Sequence, residues 1–204
     1  MKPETPKRSK RQQLEIEVKL KISNLRLFRQ NLLKIGCNET ASRSLERNWT
    51  WDFPGHPFRQ QGKLLRVRCF AGHGLLTFKG PARQSRLFKI REERETEVQD
   101  PETLGLILQR LGLQAVFCYE KFRTSYSLKI PKQRHSANLT VDETPIGNYL
   151  EIEGREADIQ WIAAQLGFDE EVFIKESYLA LFSKSKLKRS QRHMTFPKKK
   201  TRSR

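Results

Sequence analysis

The sequence predicts an α+β fold in which eight strands form one largely antiparallel sheet, closed into a barrel (tunnel) with helices packed outside it. Two observations predict this. Strand-like segments come in runs rather than in strict alternation with helices, which favours antiparallel pairing. A sheet of eight strands can also close on itself, which removes its edges and creates an interior. With 204 residues the chain suits one sizeable domain.

The first predicted strand is LEIEVKLKI at residues 14–22, where apolar and charged residues alternate without exception. Successive side chains of a strand point to opposite faces. The charged face therefore carries four residues: Glu15, Glu17, Lys19 and Lys21. Taken alone, the same pattern is also typical of a half-buried strand whose outer face meets solvent.

The remaining elements follow in order along the chain. Further strands are predicted at 42–53, 62–70, 74–80, 86–98, 115–129, 137–143 and 148–153. Helices are predicted at 25–35, 101–111 and 157–166, each followed by a glycine, and a short last helix begins near residue 177. Ser23 or Asn24 can cap the first helix, and Asp100 followed by Pro101 marks the start of the second.

The formal charge of +17 is concentrated at the two ends of the chain. Residues 1–13 carry a net charge of +4 and residues 183–204 a net charge of +10, which leaves +3 for residues 14–182. We therefore predict one domain at 14–182 between two basic disordered tails, 1–13 and 183–204, that can associate loosely with polyanions. Such a distribution argues against specific nucleic-acid recognition by the domain itself.

The cysteine content indicates a reducing compartment. The three cysteines form no CxxC pair and leave an odd number, which argues against a disulfide framework or a zinc ribbon. The first residues lack the apolar run of a signal peptide, and no stretch of the chain holds eighteen consecutive apolar residues. We therefore expect a cytoplasmic protein without a membrane span.

The charged face of the first strand recurs in later strands, and its charges are sorted by sign. Carboxylate pairs stand two residues apart at Glu15/Glu17 and Glu151/Glu153, and cationic pairs at Arg66/Arg68 and Lys121/Arg123. A solvated face has no need for this sorting. Carboxylate pairs suit Mg²⁺ or Mn²⁺, and arginine and lysine suit phosphate oxygens. Together they suit phosphoryl chemistry, which relies mainly on positioning and charge neutralisation.

These residues resemble the CYTH family, the triphosphate tunnel metalloenzymes. The family includes class IV adenylyl cyclases, thiamine triphosphatases and inorganic triphosphatases. The resemblance begins with Glu15-x-Glu17-x-Lys19 and covers residues 14 to about 182. Its further motifs come in the family's order: Arg66-x-Arg68, Lys79 of TFKG, Arg91-x-Glu93-x-Glu95, Lys121-x-Arg123, Asp142, and Glu151-x-Glu153 of GNYLEIEG.

The resemblance implies an eight-stranded antiparallel tunnel with a charged lumen and a role for each matching residue. The implied ligands of Mg²⁺ or Mn²⁺ are Glu15, Glu17, Asp142, Glu151 and Glu153. The implied triphosphate-binding residues are Lys19, Lys21, Arg66, Arg68, Lys79, Arg91, Lys121 and Arg123. The implied catalytic residues are Lys19, Glu93 and Glu95.

The sequence leaves the reaction open. With water as the nucleophile, the enzyme would hydrolyse an inorganic or organic triphosphate such as tripolyphosphate, ATP or thiamine triphosphate. With a ribose 3′-hydroxyl as the nucleophile, it would convert ATP to cyclic AMP and pyrophosphate. A third alternative is a protein that binds polyphosphate or RNA ends without catalysis. We expect a monomer or a homodimer.

Overall fold

The computed structural model describes residues 13–70, 73–185 and 193–197. The barrel strands are β1 Gln13–Ile22, β2 Asn38–Asp52, β3 Leu64–Phe70, β4 His73–Lys79, β5 Lys89–Val98, β6 Gln114–Lys129, β7 Ser136–Thr144 and β8 Gly147–Glu153. The helices are α1 Leu25–Lys34, α2 Pro57–Gln60, α3 Pro101–Arg110, α4 Glu156–Gln165 and α5 Tyr178–Lys184, followed by a two-residue strand, β9 His193–Met194. The predicted α+β class is confirmed.

The sheet is closed, as predicted. Its strands follow the order β2-β3-β4-β5-β1-β8-β7-β6, and β6 also pairs with β2. Every pairing among these eight strands is antiparallel. Because the ring has no free edge, the alternate residues of each strand that point inward share one enclosed space.

Strand β1 is buried on both of its faces. On the outer face, Val18 and Leu20 have no exposed surface, because they pack beneath α1 and α4 in the largest hydrophobic cluster. On the inner face, Glu15 is only 7% exposed and Lys19 only 3% exposed. The charged face is therefore the interior of the barrel and not a solvated surface.

The three longer predicted helices, α1, α3 and α4, begin and end within one residue of their predicted bounds. The Asn24 side chain accepts a hydrogen bond of 3.1 Å from the backbone N–H of Leu27 at the start of α1. Asp100 accepts one of 2.8 Å from Thr103 at the start of α3. Gly36 and Gly112, which follow these helices, both have φ of +90°, a conformation that L side chains rarely adopt.

The sequence analysis missed helix α2, which is built around a buried carboxylate. Asp52 is 2% exposed, and it accepts backbone N–H groups from Phe53, Phe58 and Arg59 at 2.8 to 3.0 Å. These bonds fold the chain after β2 back onto the end of that strand.

The prediction of a disordered tail over 183–204 is wrong for residues 183–185 and 193–197, which are ordered. Helix α5 continues to Lys184, and β9 pairs in parallel with β6 beside Cys118 and Tyr119. Met194 is 1% exposed in a cluster with aromatic residues of β6 and α5. Residues 193–197 thus belong to the fold, because Met194, an apolar residue within the basic tail, packs into this cluster. The rest of the predicted tails, residues 1–12, 186–192 and 198–204, lies outside the described residues.

None of the helices in the described part of the chain has the length and apolar character needed to cross a membrane.

Because residues 193–197 pack against the barrel, we expect their contacts to contribute to the free energy of unfolding. Met194→Ala should lower the free energy of unfolding by about 2–5 kcal/mol, because it leaves a cavity among packed aromatic rings. Thr195→Ala is the control, since Thr195 is exposed and should change stability by less than about 0.5 kcal/mol. Urea unfolding measures both. Equal stability of the two variants would show that the segment contributes nothing to the fold.

Candidate active site

The inward-facing residues of the barrel enclose one charged cavity, here called the lumen. Its empty volume is about 820 Å³, including space that is open to solvent. Eight basic side chains line it: Lys19, Arg66, Arg68, Lys79, Lys89, Arg91, Lys121 and Arg123. Six glutamates line it as well: Glu15, Glu17, Glu93, Glu95, Glu151 and Glu153.

The two acids of β1 are each held by a lysine of a nearby strand. Lys79 Nζ lies 2.7 and 2.6 Å from the two carboxylate oxygens of Glu15. Lys89 Nζ lies 2.6 Å from Glu17 Oε1. Burial opposes the charged form of Glu17, but the ammonium groups of Lys19 and Lys89 outweigh it and hold the pKa of Glu17 below its usual range. Glu17 is therefore a carboxylate at neutral pH.

Lys19 is a fixed positive charge in the wall between β1 and β8. Its ammonium lies 3.1 Å from Glu151 Oε1 and 3.3 Å from Glu17 Oε1. It also lies 5.3 Å from the centre of the Tyr178 ring. Burial alone would lower the pKa of Lys19, but the two carboxylates raise it above its ordinary value. The side chain therefore stays charged.

The predicted catalytic acids of β5 face basic groups across the lumen wall. Arg66 Nη2 lies 3.5 Å from Glu95 Oε1, and the Thr77 hydroxyl donates a 2.6 Å hydrogen bond to the same oxygen. Lys79 Nζ lies 3.1 Å from Glu93 Oε1. Burial and the neighbouring carboxylates raise the pKa of Glu93 in spite of Lys79. Glu93 is thus the acid of this pair better suited to accept a proton.

Asp142 has no exposed surface, and it holds in place basic residues that line the lumen. Its carboxylate accepts hydrogen bonds from Lys121 at 2.8 Å, from two nitrogens of Arg123 at 2.7 Å each, and from the Tyr178 hydroxyl at 2.8 Å. Arg123 also reaches Glu151 at 2.5 Å. Both oxygens of Asp142 are engaged in this way, so the carboxylate positions Lys121, Arg123 and Tyr178 in this structure, and its role as a metal ligand stays a prediction.

Glu46 of β2 is a second buried acid with a similar role, and the sequence analysis missed it. It is 1% exposed, and it lies 3.4 Å from Lys121, 3.6 Å from Arg68 and 3.7 Å from Arg123. The Asn48 side chain donates a hydrogen bond of 2.9 Å to Glu46. Burial opposes ionisation of Glu46, but the three cations hold its pKa below the usual range.

Glu153 differs from the other lumen acids, because it forms no ion pair with the described residues. Like Glu95, it is exposed to water. Glu153 is paired in register with Glu17. Partial desolvation and the carboxylates of Glu15 and Glu93 raise the pKa of Glu153 to about 7. A bound cation would reduce the repulsion between Glu153 and these carboxylates.

These carboxylates fit a hard divalent cation in chemistry and in charge. Mg²⁺ and Mn²⁺ prefer oxygen ligands and commonly take one or two carboxylates. Within the described residues, however, no three Asp, Glu, His or Cys side chains already lie together at metal-binding distances. Most of the acids contact lysine or arginine instead.

The lumen brings together nearly all of the predicted site residues. The exceptions are Asp142, which is enclosed by Lys121, Arg123 and Tyr178, and Lys21, whose side chain is exposed at the end of β1. Neither lines the lumen. Lys89 was not predicted, although it stands two residues before Arg91 on the same face of β5. Extending that alternation by one step would have found it. The alternation of LERNWTWD at 45–52 was the signal for Glu46.

Helix α5 adds an aromatic wall that strand patterns do not predict. Tyr178 and Phe182 pack against Phe117 and Tyr119 of β6 and Tyr149 of β8. Lys121 Nζ lies 5.1 Å from the centre of the Tyr178 ring, on the side of the lumen. The lumen is therefore charged along its length and aromatic where α5 meets it.

Comparisons with known proteins agree with this architecture. A Methanocaldococcus jannaschii protein, named as a candidate adenylate cyclase, is 26% identical over 179 residues, which are 82% of this chain and 98% of the relative. The structure of a candidate adenylate cyclase from Vibrio parahaemolyticus has a TM-score of 0.70 at 22% identity, covering 84% of this chain and 98% of that one.

A third similar protein comes from Hippeastrum, and it is described as a candidate adenylyl cyclase with a dominant triphosphatase activity. Its TM-score is 0.60 at 16% identity, and the match covers 82% of this chain and 94% of that one. At these identities the two structural matches show a shared fold. The family match is more extensive, since residues 13–190 match the profile of the CYTH domain. The chain therefore belongs to the CYTH domain family.

Proposed function

We propose that this protein is a divalent-metal-dependent enzyme that binds a triphosphate in the lumen and hydrolyses it. The observation that carries the proposal is the convergence of eight lysine and arginine side chains on one cavity that also contains six glutamates. Phosphoryl transfer depends chiefly on positioning and on neutralising the charge of the phosphates. A preorganised cationic cavity supplies both.

The cation would be Mg²⁺ or Mn²⁺, held by Glu15, Glu17, Glu151 and Glu153. When bound, it supplies charge neutralisation at the phosphate oxygens and can lower the pKa of a bound water. Of these acids, Glu153 has the strongest reason to accept a cation, because its charge has no basic partner among the described residues.

The basic residues would hold the phosphates from several strands at once. Arg66 and Lys79 come from β3 and β4, Lys19 from β1, and Lys121 and Arg123 from β6. Each is now paired with a carboxylate at between 2.5 and 3.5 Å, so the side chains are already restrained before a phosphate arrives. Such restraint lowers the entropic cost of binding.

Two of the acids suit a proton-transfer role. Glu93 has a raised pKa beside Lys79, so it would accept the proton of an attacking water. Glu95 would hold Arg66 and Thr77 in place and so align the phosphate-binding side of the site. Lys19 would stabilise the charge that develops on the leaving phosphate.

A second candidate function is cyclisation of ATP to cyclic AMP and pyrophosphate. It is favoured by the names of the Methanocaldococcus and Vibrio relatives, while the Hippeastrum protein associates the same fold with triphosphatase activity. The two reactions need the same phosphate-binding groups and differ in the nucleophile. Analysis of the products from ATP separates them, because only cyclisation releases cyclic AMP.

We also propose that the protein works in the cytoplasm. All three cysteines are free, and burial raises the pKa of Cys37 to about 11. A buried thiol of this kind is unreactive and needs no oxidising compartment.

Arg66→Ala should lower kcat/KM for tripolyphosphate in the presence of Mg²⁺ by roughly 100-fold or more, because it removes a buried cationic donor. Arg94→Ala is the control, since Arg94 is exposed, does not line the lumen and pairs only with Glu92 among the described residues. Phosphate release measures both. Equal activity of the two variants would refute the placement of the triphosphate in the lumen.

Glu17→Gln and Glu153→Gln should each raise the Mg²⁺ concentration that gives half-maximal turnover by about tenfold or more, because each removes an anionic oxygen ligand. Glu97→Gln provides the matched control, since Glu97 is exposed on β5 and does not line the lumen. Titration of Mg²⁺ at saturating substrate measures the effect. An unchanged Mg²⁺ requirement in both variants would mean that the metal ligands are other residues.

Glu46→Gln should lower kcat by about tenfold without raising KM. The three cations around Glu46 would lose their orientation but keep their charge, so binding would survive while alignment suffers. Glu46→Asp, which keeps the charge, should recover part of kcat. The control is Glu39→Gln, since Glu39 is exposed on the same strand and does not line the lumen. A rise in KM with unchanged kcat would contradict the positioning role.

A further inference from the structure

Helix α3 carries an apolar patch on the side that faces away from the barrel. Seven large hydrophobic side chains are exposed in the described residues, and three of them belong to α3 and its C-terminal cap: Leu106, Ile107 and Leu111, each at least 50% exposed. The other four come from three separate segments of the chain. Single exposed apolar residues are normal, whereas a group within six residues indicates a contact surface.

The opposite face of α3 is already committed to the barrel. Leu104 and Leu108 pack with Trp51 and Val67 in one hydrophobic cluster. Gly105 lies so close to Trp51 that an added Cβ would stand 3.4 Å from its ring. The helix therefore cannot rotate to bury its exposed apolar side chains without losing these contacts.

The patch lies between two opposite charges on the same helix. Glu102, Leu106 and Arg110 stand four residues apart, so they form one row along α3. Glu102 and Arg110 are both exposed, and neither forms an ion pair within the part of the chain that the structure describes. The row is thus acidic at one end, apolar in the middle and basic at the other end.

Such a row is complementary to a second copy of itself. When two α3 helices pack antiparallel about a two-fold axis at Leu106, this residue meets its own counterpart. Each Glu102 then lies opposite the Arg110 of the other copy, because both stand four residues from Leu106. Two ion pairs would flank an apolar centre, an arrangement that is typical of protein interfaces. Rows of this spacing also interlock in the commonest class of helix packing.

The composition of the remaining segments argues against cover by the chain itself. Outside the described residues, the sequence contains only three aliphatic side chains other than proline: Met1, Ala71 and Leu187. The other residues there are mainly basic or polar, and such side chains gain little from contact with an apolar patch. A second copy of the chain brings an apolar face of the same size and shape.

We propose that the protein forms a two-fold symmetric homodimer in which the α3 helices of two copies pack antiparallel. Leu106 and Ile107 lie at the centre of the contact, and Glu102 pairs with Arg110 across the axis. The proposal is independent of the proposed function, because no residue of α3 lines the lumen. A contact built on one pair of helices is small, so we expect a reversible dimer.

Sedimentation velocity over roughly 1 to 100 µM protein tests the proposal. We expect the unmodified protein to change from monomer to dimer with rising concentration. Leu106→Glu should raise the dissociation constant by about tenfold or more, because it sets two carboxylates face to face at the centre of the contact. Leu33→Glu is the matched control, since Leu33 is similarly exposed on α1, and it should leave the dissociation constant within about twofold.

Charge reversal tests the register of the two helices. Glu102→Lys and Arg110→Glu should each raise the dissociation constant by about fivefold or more, because each sets like charges opposite one another. The double variant restores opposite charges across the axis, so it should bring the dissociation constant back to within about twofold of the unmodified protein. A general loss of helix stability would give no such recovery. Thermal unfolding verifies that each variant is folded.

Three results would overturn the proposal. A monomer at every concentration would leave the α3 face to a different protein. A dimer that persists unchanged in Leu106→Glu would place the contact elsewhere on the surface. A double variant that stays as weak as the single charge variants would exclude the antiparallel register.

Discussion

The structure depends on charge compensation inside a closed barrel. Removing a lysine or arginine from water is costly unless a carboxylate lies beside it. Lys121 is 1% exposed and Lys19 is 3% exposed, and each contacts buried carboxylates at 3.4 Å or less. The barrel can close around these charges only because strands with acidic residues stand next to strands with basic ones.

The same compensation prepares the lumen for a highly charged ligand. Carboxylates such as Asp142 and Glu46 hold the basic groups in place from behind, while Glu151 and Glu17 contact Lys19 within the lumen wall. A triphosphate that enters the lumen meets basic groups that are already oriented. A divalent cation can reduce the repulsion between the phosphates and the glutamates of the lumen. Fixed charges in a site that excludes water stabilise developing charge more strongly than water does.

The strand pattern predicted much of this arrangement. Alternation in β1 placed Glu15, Glu17 and Lys19 on one face, and closure of the sheet turned that face into the lumen. Alternation cannot show how far along a strand the lumen extends, which is why Lys21 falls outside it. Nor can it separate inward-facing residues that line the lumen from those that neighbouring side chains cover, such as Asp142. Three features were not predicted, because contacts between distant parts of the chain determine them. They are the buried position of Glu46 in β2, the packing of α5 against the barrel and the pairing of β9 with β6.

In solution, the lumen should bind a triphosphate and promote its conversion. Phosphorus NMR of ATP and of tripolyphosphate, each with Mg²⁺ and the purified protein, tests it most directly, because the spectrum reports binding and products together. We expect broadened or shifted phosphate resonances at once and the growth of orthophosphate or pyrophosphate signals with time. Spectra that match those of the free triphosphates, unchanged in line width, position and intensity over hours, would contradict it.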